Sequence, residues 1–214
     1  MEAVGLGGGS GVGAEGRCVA SLLDLGIHLF EASRLVWGLK AMYVQARPIQ
    51  EIRRRYAGMT LIGYDGEGVS GERWMPYQEA DFVTPPFADF PSGHSCFSQM
   101  GAAVMTEWFG GAVPTVGRRR TDLNLMSPMF AGTAGGEGAF NRVVVGVGKS
   151  LVQTGAVPAM DTVLEWNTWQ EMANSSGMSR LYGGIHCMSA HTSSQHVAVS
   201  AHQMLDEVWG IRRA

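Results

Sequence analysis

Apolar positions outnumber polar ones from Arg17 to Gly38, with Leu22, Leu25, Leu29, Leu35 and Val36 among them. That density predicts a well-buried helix, which Lys40 to Ala46 can continue. Pro48 suits a first helical turn and opens a second, short helix through Arg55. From Tyr56 to Phe90, glycines and prolines interrupt every long period and predict a loop. Apolar periodicity returns in Ser95 to Phe109, a helix that Gly110-Gly111 ends. Gly110 to Pro158 reads as mostly irregular, with a strand at Arg142 to Val147. Asp161 is then placed to cap a helix running to Ser175, with Gly177 closing it. "SRLYGGIH" reads as a compact turn, and His196 to Trp209 as a last amphipathic helix. The sum is an all-α helical bundle with two long loops, and loops of that length usually cover a site or lack order.

Composition narrows this picture. The chain has 214 residues, enough for one domain with a sizeable core; it is 45% hydrophobic and 16% charged, as globular proteins are. A net charge of −3 supplies no basic field, so no nucleic-acid partner is expected. The runs Arg53-Arg54-Arg55 and Arg118-Arg119-Arg120 read as solvated. Cys18, Cys96 and Cys187 form no C-x-x-C pair, which argues against a zinc knuckle or a disulfide framework. No apolar run reaches the roughly 18 residues of a membrane span. The start, "MEAVGLGGGSGVGAEGR", lacks a basic segment followed by an apolar block, so no secretory signal is expected. It reads as a flexible glycine-rich head over 1–16, ahead of a single helical catalytic domain over 17–214.

Two apparent motifs fail on inspection. "VVVGVGKS" ends like a phosphate-binding loop, but the pattern needs glycine where Val143 stands, and without it the backbone cradle does not form. His191, His196 and His202 are spaced five and six apart, which does not place them on one helix face as a metal pair, so they read as surface or core histidines.

Three other segments belong together. In "WGLKAMYVQARP", Lys40 and Arg47 are seven apart, so on one continuous helix both cations share a face. In "PSGHS", Ser92 offers a hydroxyl, Gly93 an unobstructed N–H and His94 an acid or base near neutral pH, at a helix start whose dipole favours an anion. In "SRLYGGIH", Arg180 and His186 flank Gly183-Gly184, which can fold them toward a common point. Each segment alone has an ordinary structural explanation, as a solvated face, a cap or a turn.

The ordered set K-x6-R-P, P-S-G-H, S-R-x5-H resembles the family uniting vanadium-dependent haloperoxidases with type 2 phosphatidic acid phosphatases and bacterial class A acid phosphatases. The resemblance runs from about Trp37 to the C-terminus. It implies a helical bundle of the acid phosphatase/vanadium-dependent haloperoxidase type. It also implies an oxyanion cage for vanadate, or phosphate as the alternative occupant. Lys40, Arg47 and Arg180 would supply positive charge, Ser92 and Gly93 would complete the cage, and His186 would bond the central atom. His94 would move protons.

Within that family two chemistries share one cage. In the haloperoxidase reading, hydrogen peroxide oxidises halide to a hypohalous species that halogenates a small organic substrate, with Lys40 polarising the peroxide. In the phosphatase reading, His186 is a nucleophile that forms a phosphohistidine and His94 protonates the leaving alcohol. The flanks "TPPFADFPSGHS", "SRLYGGIH" and "VLEWNTWQEMANSSGMSR" resemble the haloperoxidase branch. The phosphatases follow the last histidine with H-x3-D, where this chain has Ala190, which puts activation of His186 in doubt. Trp37 and Phe87 stand where chloride-oxidising members keep two aromatics, a candidate halide pocket. The family's lipid phosphatases span membranes, and no span is expected here. Longer members carry another helical bundle ahead of this one, so a truncated member that only binds oxyanion is a third reading. Homo-oligomer formation is left open.

Overall fold

A computed structural model describes residues 14–112 and 141–209. The elements run α1 (Ala14–Tyr43), α2 (Pro48–Arg55), β1 (Thr60–Ile62), β2 (Gly68–Ser70), α3 (Gly93–Phe109), β3 (Arg142–Val145), β4 (Thr162–Glu165), α4 (Trp169–Tyr182) and α5 (Met188–Trp209), with a single 3₁₀ turn after β2. The all-α bundle expected from the sequence is the architecture found, trimmed by two short antiparallel hairpins.

Helix α3 is the hub, packing against α1, α4 and α5. Its Cys96 and Met100 meet Ala32 and Val36 of α1 and Ala198 of α5 in the main core. A second cluster joins Ala102 to Trp169 and Ala173 of α4. Small residues at these crossings let helix backbones approach closely. At Gly177 of α4 the space left is small. A Cβ there would lie 2.5 Å from the His191 ring and 2.9 Å from Ser95 Oγ. Gly177 therefore closes no helix, contrary to expectation; it lets α4 lie against the N-terminal turn of α3. Gly177→Ala is expected to cost about 1–3 kcal/mol by overpacking, read as a lower midpoint in urea unfolding.

Other departures have physical reasons. α1 is not buried all round: Leu23, Phe30 and Trp37, seven residues apart, stand exposed on its outer face. The helix expected from Asp161 begins instead at Trp169. Asp161 Oδ1 accepts the Val147 N–H at 3.0 Å across the β3–β4 hairpin. Thr168 is the true N-cap, its Oγ1 accepting the Glu171 N–H at 3.0 Å. The T-x-x-E signature of Thr168–Glu171 was the better start signal. Helix α5 begins at Met188, two turns before the expected His196, and α3 begins at Gly93, with Ser92 as N-cap.

α1 also ends sooner than Ala46. Val44, with φ of 42°, turns the chain out of it, and Arg47 caps α2. Lys40 and Arg47 thus belong to two helices and not to one face. Within 56–90, read as loop, β1 pairs with β2 from Thr60↔Ser70 to Ile62↔Gly68. The glycine-rich head loses Ala14 to Gly16 to α1, while 1–13 lie outside the described residues. So do Arg118-Arg119-Arg120 and most of the stretch read as irregular. Among the described residues no helix is long and apolar enough to cross a membrane.

Candidate oxyanion site

The segment from Phe87 to Asp89, just ahead of α3, gathers the site. Lys40 Nζ, from the last turn of α1, donates to the Ala88 carbonyl at 2.6 Å and the Asp89 carbonyl at 3.3 Å. Arg47 Nε donates to the Phe87 carbonyl at 2.9 Å. Both cations lie 5.0 Å from the Phe87 ring centroid. Arg47 reaches further: its Nη1 donates to the Ile185 carbonyl at 2.8 Å and to His186 Nε2 at 3.1 Å. Two helices and the α4–α5 link, distant in sequence, are thereby tied to one strap.

Asp89 is the residue that sequence reasoning missed. It is fully buried. Its Oδ1 accepts from His186 Nδ1, its Oδ2 accepts the Cys187 N–H at 3.2 Å, and its own N–H donates to the Gln45 carbonyl at 2.8 Å. The doubt raised by Ala190 is corrected here: the carboxylate that orients His186 comes from ahead of α3, not from the position after the histidine. One signal was present, since Asp89 is the sole carboxylate in "TPPFADFPSGHS". With its proton on Nδ1 facing Asp89, His186 turns its Nε2 lone pair to Arg47 Nη1, a bond that an electrophile would have to displace.

Electrostatics reinforce that tautomer. Burial holds the His186 pKa below the ordinary histidine range, Asp89 offsetting part of the effect while Arg47 and Lys40 add to it. Burial, with the neighbouring Arg47 charge, pulls Lys40 down to about 8. His94 is reached by solvent, yet crowding of its ring and the charges of Arg180 and His186 lower its pKa too. Arg180, in the last turn of α4, lies near enough for its charge to lower the Arg47 pKa.

Ser92 and Gly93 complete the arrangement from the start of α3. Ser92 Oγ accepts the Ser95 N–H at 3.4 Å and lies 2.9 Å from Ser95 Oγ, while the Ser92 N–H donates to Ser194 Oγ at 2.7 Å. Behind them His191 Nδ1 lies 2.8 Å from Ser95 Oγ and its Nε2 lies 3.3 Å from Asn174 Oδ1. His191 is a buried core histidine, as one of its two expected readings had it, and it steadies the cap. Trp37 and Phe87 meet edge to face, with centroids 4.9 Å apart at 64°, and are 52% and 40% exposed. They form one apolar wall beside the cations.

The donor set calls for an anion. Three cations face one carboxylate, and two guanidinium nitrogens, Arg47 Nη2 and Arg180 Nε, are buried without a hydrogen bond. A buried charged donor left unpaired is costly. A tetrahedral oxyanion of two to three charges matches both the surplus charge and the unused donors, so vanadate and phosphate each fit the residues present. Because Lys40 is charged below about 8 and neutral above it, anion affinity is expected to fall as pH rises through that value. Calorimetric titration with vanadate between pH 6 and 9 checks this, and Lys40→Arg should remove the alkaline fall.

The fold is a helical bundle in which Lys40, Arg47 and His186 gather on one strap. The model of the VCPO second helical-bundle domain matches residues 21–209, and the chain belongs to that family. Among solved structures, it is similar to a holo-type bacterial vanadium-dependent chloroperoxidase at 16% identity and a TM-score of 0.65, covering 88% of this chain and 34% of that one. The apo-type bacterial enzyme gives 16% and 0.62, with 88% and 36% covered. A bacterial vanadium-dependent iodoperoxidase gives 17% and 0.55, with 90% and 34% covered. At such identities the likeness speaks for the fold, and the chain spans about a third of those proteins' length. No curated protein matches it.

Proposed function

We propose that this chain carries the oxyanion site of a vanadium-dependent haloperoxidase, which uses hydrogen peroxide to oxidise halide for the halogenation of a small organic substrate. The observation that supports it is the convergence of Lys40, Arg47 and His186 on one strap, with spare cationic donors. Vanadate, when bound, supplies a Lewis-acidic centre that activates peroxide.

The chain's own groups do the rest. Arg47 and Arg180 hold anionic oxygens through charge-assisted bonds, each worth about 1.5–3 kcal/mol. Ser92 Oγ and the Gly93 N–H, at the positive end of α3, hold the remaining ones. His186 offers Nε2 to the central atom, aligned by Asp89. Lys40 Nζ donates a hydrogen bond that draws charge from the oxygen to be transferred. His94 takes and returns a proton at its ring nitrogen, which its lowered pKa leaves free near neutrality. The wall of Trp37 and Phe87 leaves a nearby halide less hydrated and more reactive.

One observation favours phosphatase chemistry instead: Asp89 on His186 Nδ1 is the carboxylate that an imidazole nucleophile requires. The two are separated by supplying the full chain with vanadate, peroxide and bromide and following monochlorodimedone bromination. Bromination that phosphate suppresses competitively is the expected result. Hydrolysis of p-nitrophenyl phosphate with no bromination at any vanadate concentration would reverse the assignment. Thermal stabilisation by vanadate with neither activity would leave an oxyanion-binding member.

A further inference from the structure

A second polar cluster, assembled from three helices away from the oxyanion cage, is unexplained by that chemistry. α1 contributes Asp24 and His28, α3 contributes Glu107 and Trp108, and α5 contributes His202 and Asp206. His28 is fully buried, and His202 nearly so. Their rings face each other with centroids 4.9 Å apart. One ligand atom each from His28, His202 and Asp206 falls within 4.8 Å of the others.

His28 shows what the cluster is built to hold. Its Nδ1 lies 2.9 Å from the Asp24 carbonyl and 2.9 Å from Asp24 Oδ1, so the ring proton belongs on that side. Asp24 is fixed in turn by the Trp108 indole N–H, which donates to Oδ2 at 2.6 Å. His28 Nε2 points inward, is buried, and makes no hydrogen bond. Asp206 Oδ1 stands 3.4 Å from it. A ring nitrogen facing a carboxylate oxygen needs something positive between them, a second ring proton or a cation. A carboxylate holding the far nitrogen of a buried imidazole, as Asp24 does, is how metal-ligating histidines are oriented.

The distances suit zinc. Bonds of about 2.0–2.1 Å to nitrogen and oxygen put tetrahedral ligands about 3.3–3.4 Å apart. Asp206 lies 3.4 Å from His28 Nε2 through Oδ1 and 3.4 Å from His202 Nε2 through Oδ2. These separations are long for N–H···O bonds, and the one to His28 suits an edge of that tetrahedron, whereas the one to His202 runs from the other carboxylate oxygen. Glu107 Oε1, 2.8 Å from His202 Nε2, accepts the hydrogen bond of that ring nitrogen, which an arriving ion would displace. His202 and Asp206 are one helical turn apart, which presents both on one face. Asp206 and Glu107 side chains are 30% and 37% exposed, giving an ion an entry path from solvent. None of this was visible in the spacing of the α5 histidines, because the second imidazole comes from α1.

We propose that His28, His202 and Asp206 form a structural site for one divalent cation of the zinc type, pinning α1 to α5 at the edge of the bundle. Zinc takes the place of the His202 Nε2 proton, which shifts to Nδ1, a nitrogen with no hydrogen bond. The site is independent of vanadate or phosphate at the cage.

The test uses the full chain, stripped with chelator and titrated with zinc chloride by calorimetry. Uptake of one zinc per chain with a raised unfolding temperature is expected. Cobalt(II) loading should give the intense visible bands of tetrahedral coordination. Asp206→Asn, at a partly exposed position that tolerates the change, should weaken zinc at least tenfold. His186→Ala should leave zinc binding intact. No zinc uptake by the folded wild-type chain, or equal affinity in Asp206→Asn and His202→Gln, would overturn the site. So would loss of uptake in His186→Ala with Asp206→Asn unaffected, which would place the metal at the cage instead.

Discussion

His186→Ala is expected to abolish vanadate binding, because in the proposed site the imidazole bonds the central atom directly. The fold should survive: the ring touches only Asp89 and Arg47 by hydrogen bonds, and alanine fits the link between α4 and α5. Equilibrium dialysis against vanadate reads the outcome, and undiminished affinity would remove His186 from its role. Asp89→Asn provides the graded companion. An amide can turn its N–H₂ toward Nδ1, which moves the ring proton to Nε2 and blocks the lone pair. The expected loss is about 10–100-fold in affinity, as for other groups that orient a ligating histidine. Asp89→Glu should not restore it, since the longer side chain cannot hold both His186 Nδ1 and the Cys187 N–H in the same space.

His94→Ala should behave oppositely, keeping the oxyanion and losing turnover. His94 lies in the first turn of α3 and is solvent-exposed, so removing its ring opens no cavity. General acid–base assistance is worth about 10²–10⁴-fold, and that is the expected fall in kcat with vanadate affinity within a few-fold of the parent. The rate should also lose its dependence on a group titrating below the ordinary histidine range. Initial rates of bromination across pH 5 to 8 measure both. Equal turnover in the variant would make His94 a structural residue.

The parts of the molecule that could be read in advance are those whose chemistry is local. Pro48 announced α2 to the residue, because a ring-fixed φ and a missing N–H act at one position. The cap at Ser92 was legible because the unpaired N–H groups of a helix start draw a nearby hydroxyl. Asp161 misled because several residues in that region could cap a helix, and only pairing with β3 decides that Thr162–Glu165 is a strand. Gly177 misled because a glycine that ends a helix and one that admits a neighbouring ring look alike in sequence. Lys40 and Arg47 were drawn to the right place by the wrong route: seven-residue spacing put them on one face, whereas the break at Val44 brings them in from two helices. Asp89 is the clearest case of information that spacing cannot hold. It meets His186 across 97 positions of chain, and beyond its being the one carboxylate in its segment nothing records the partnership.

The strap from Phe87 to Asp89 carries a last consequence. Its three carbonyls and one carboxylate hold Lys40, Arg47 and His186 at once, so these groups cannot be released singly. Any opening of this short stretch disperses the positive charge in a single event, and closure regathers it. Amide exchange at Asp89 and Cys187 should therefore slow together when an anion is bound, as expected for one cooperative latch rather than independent arms.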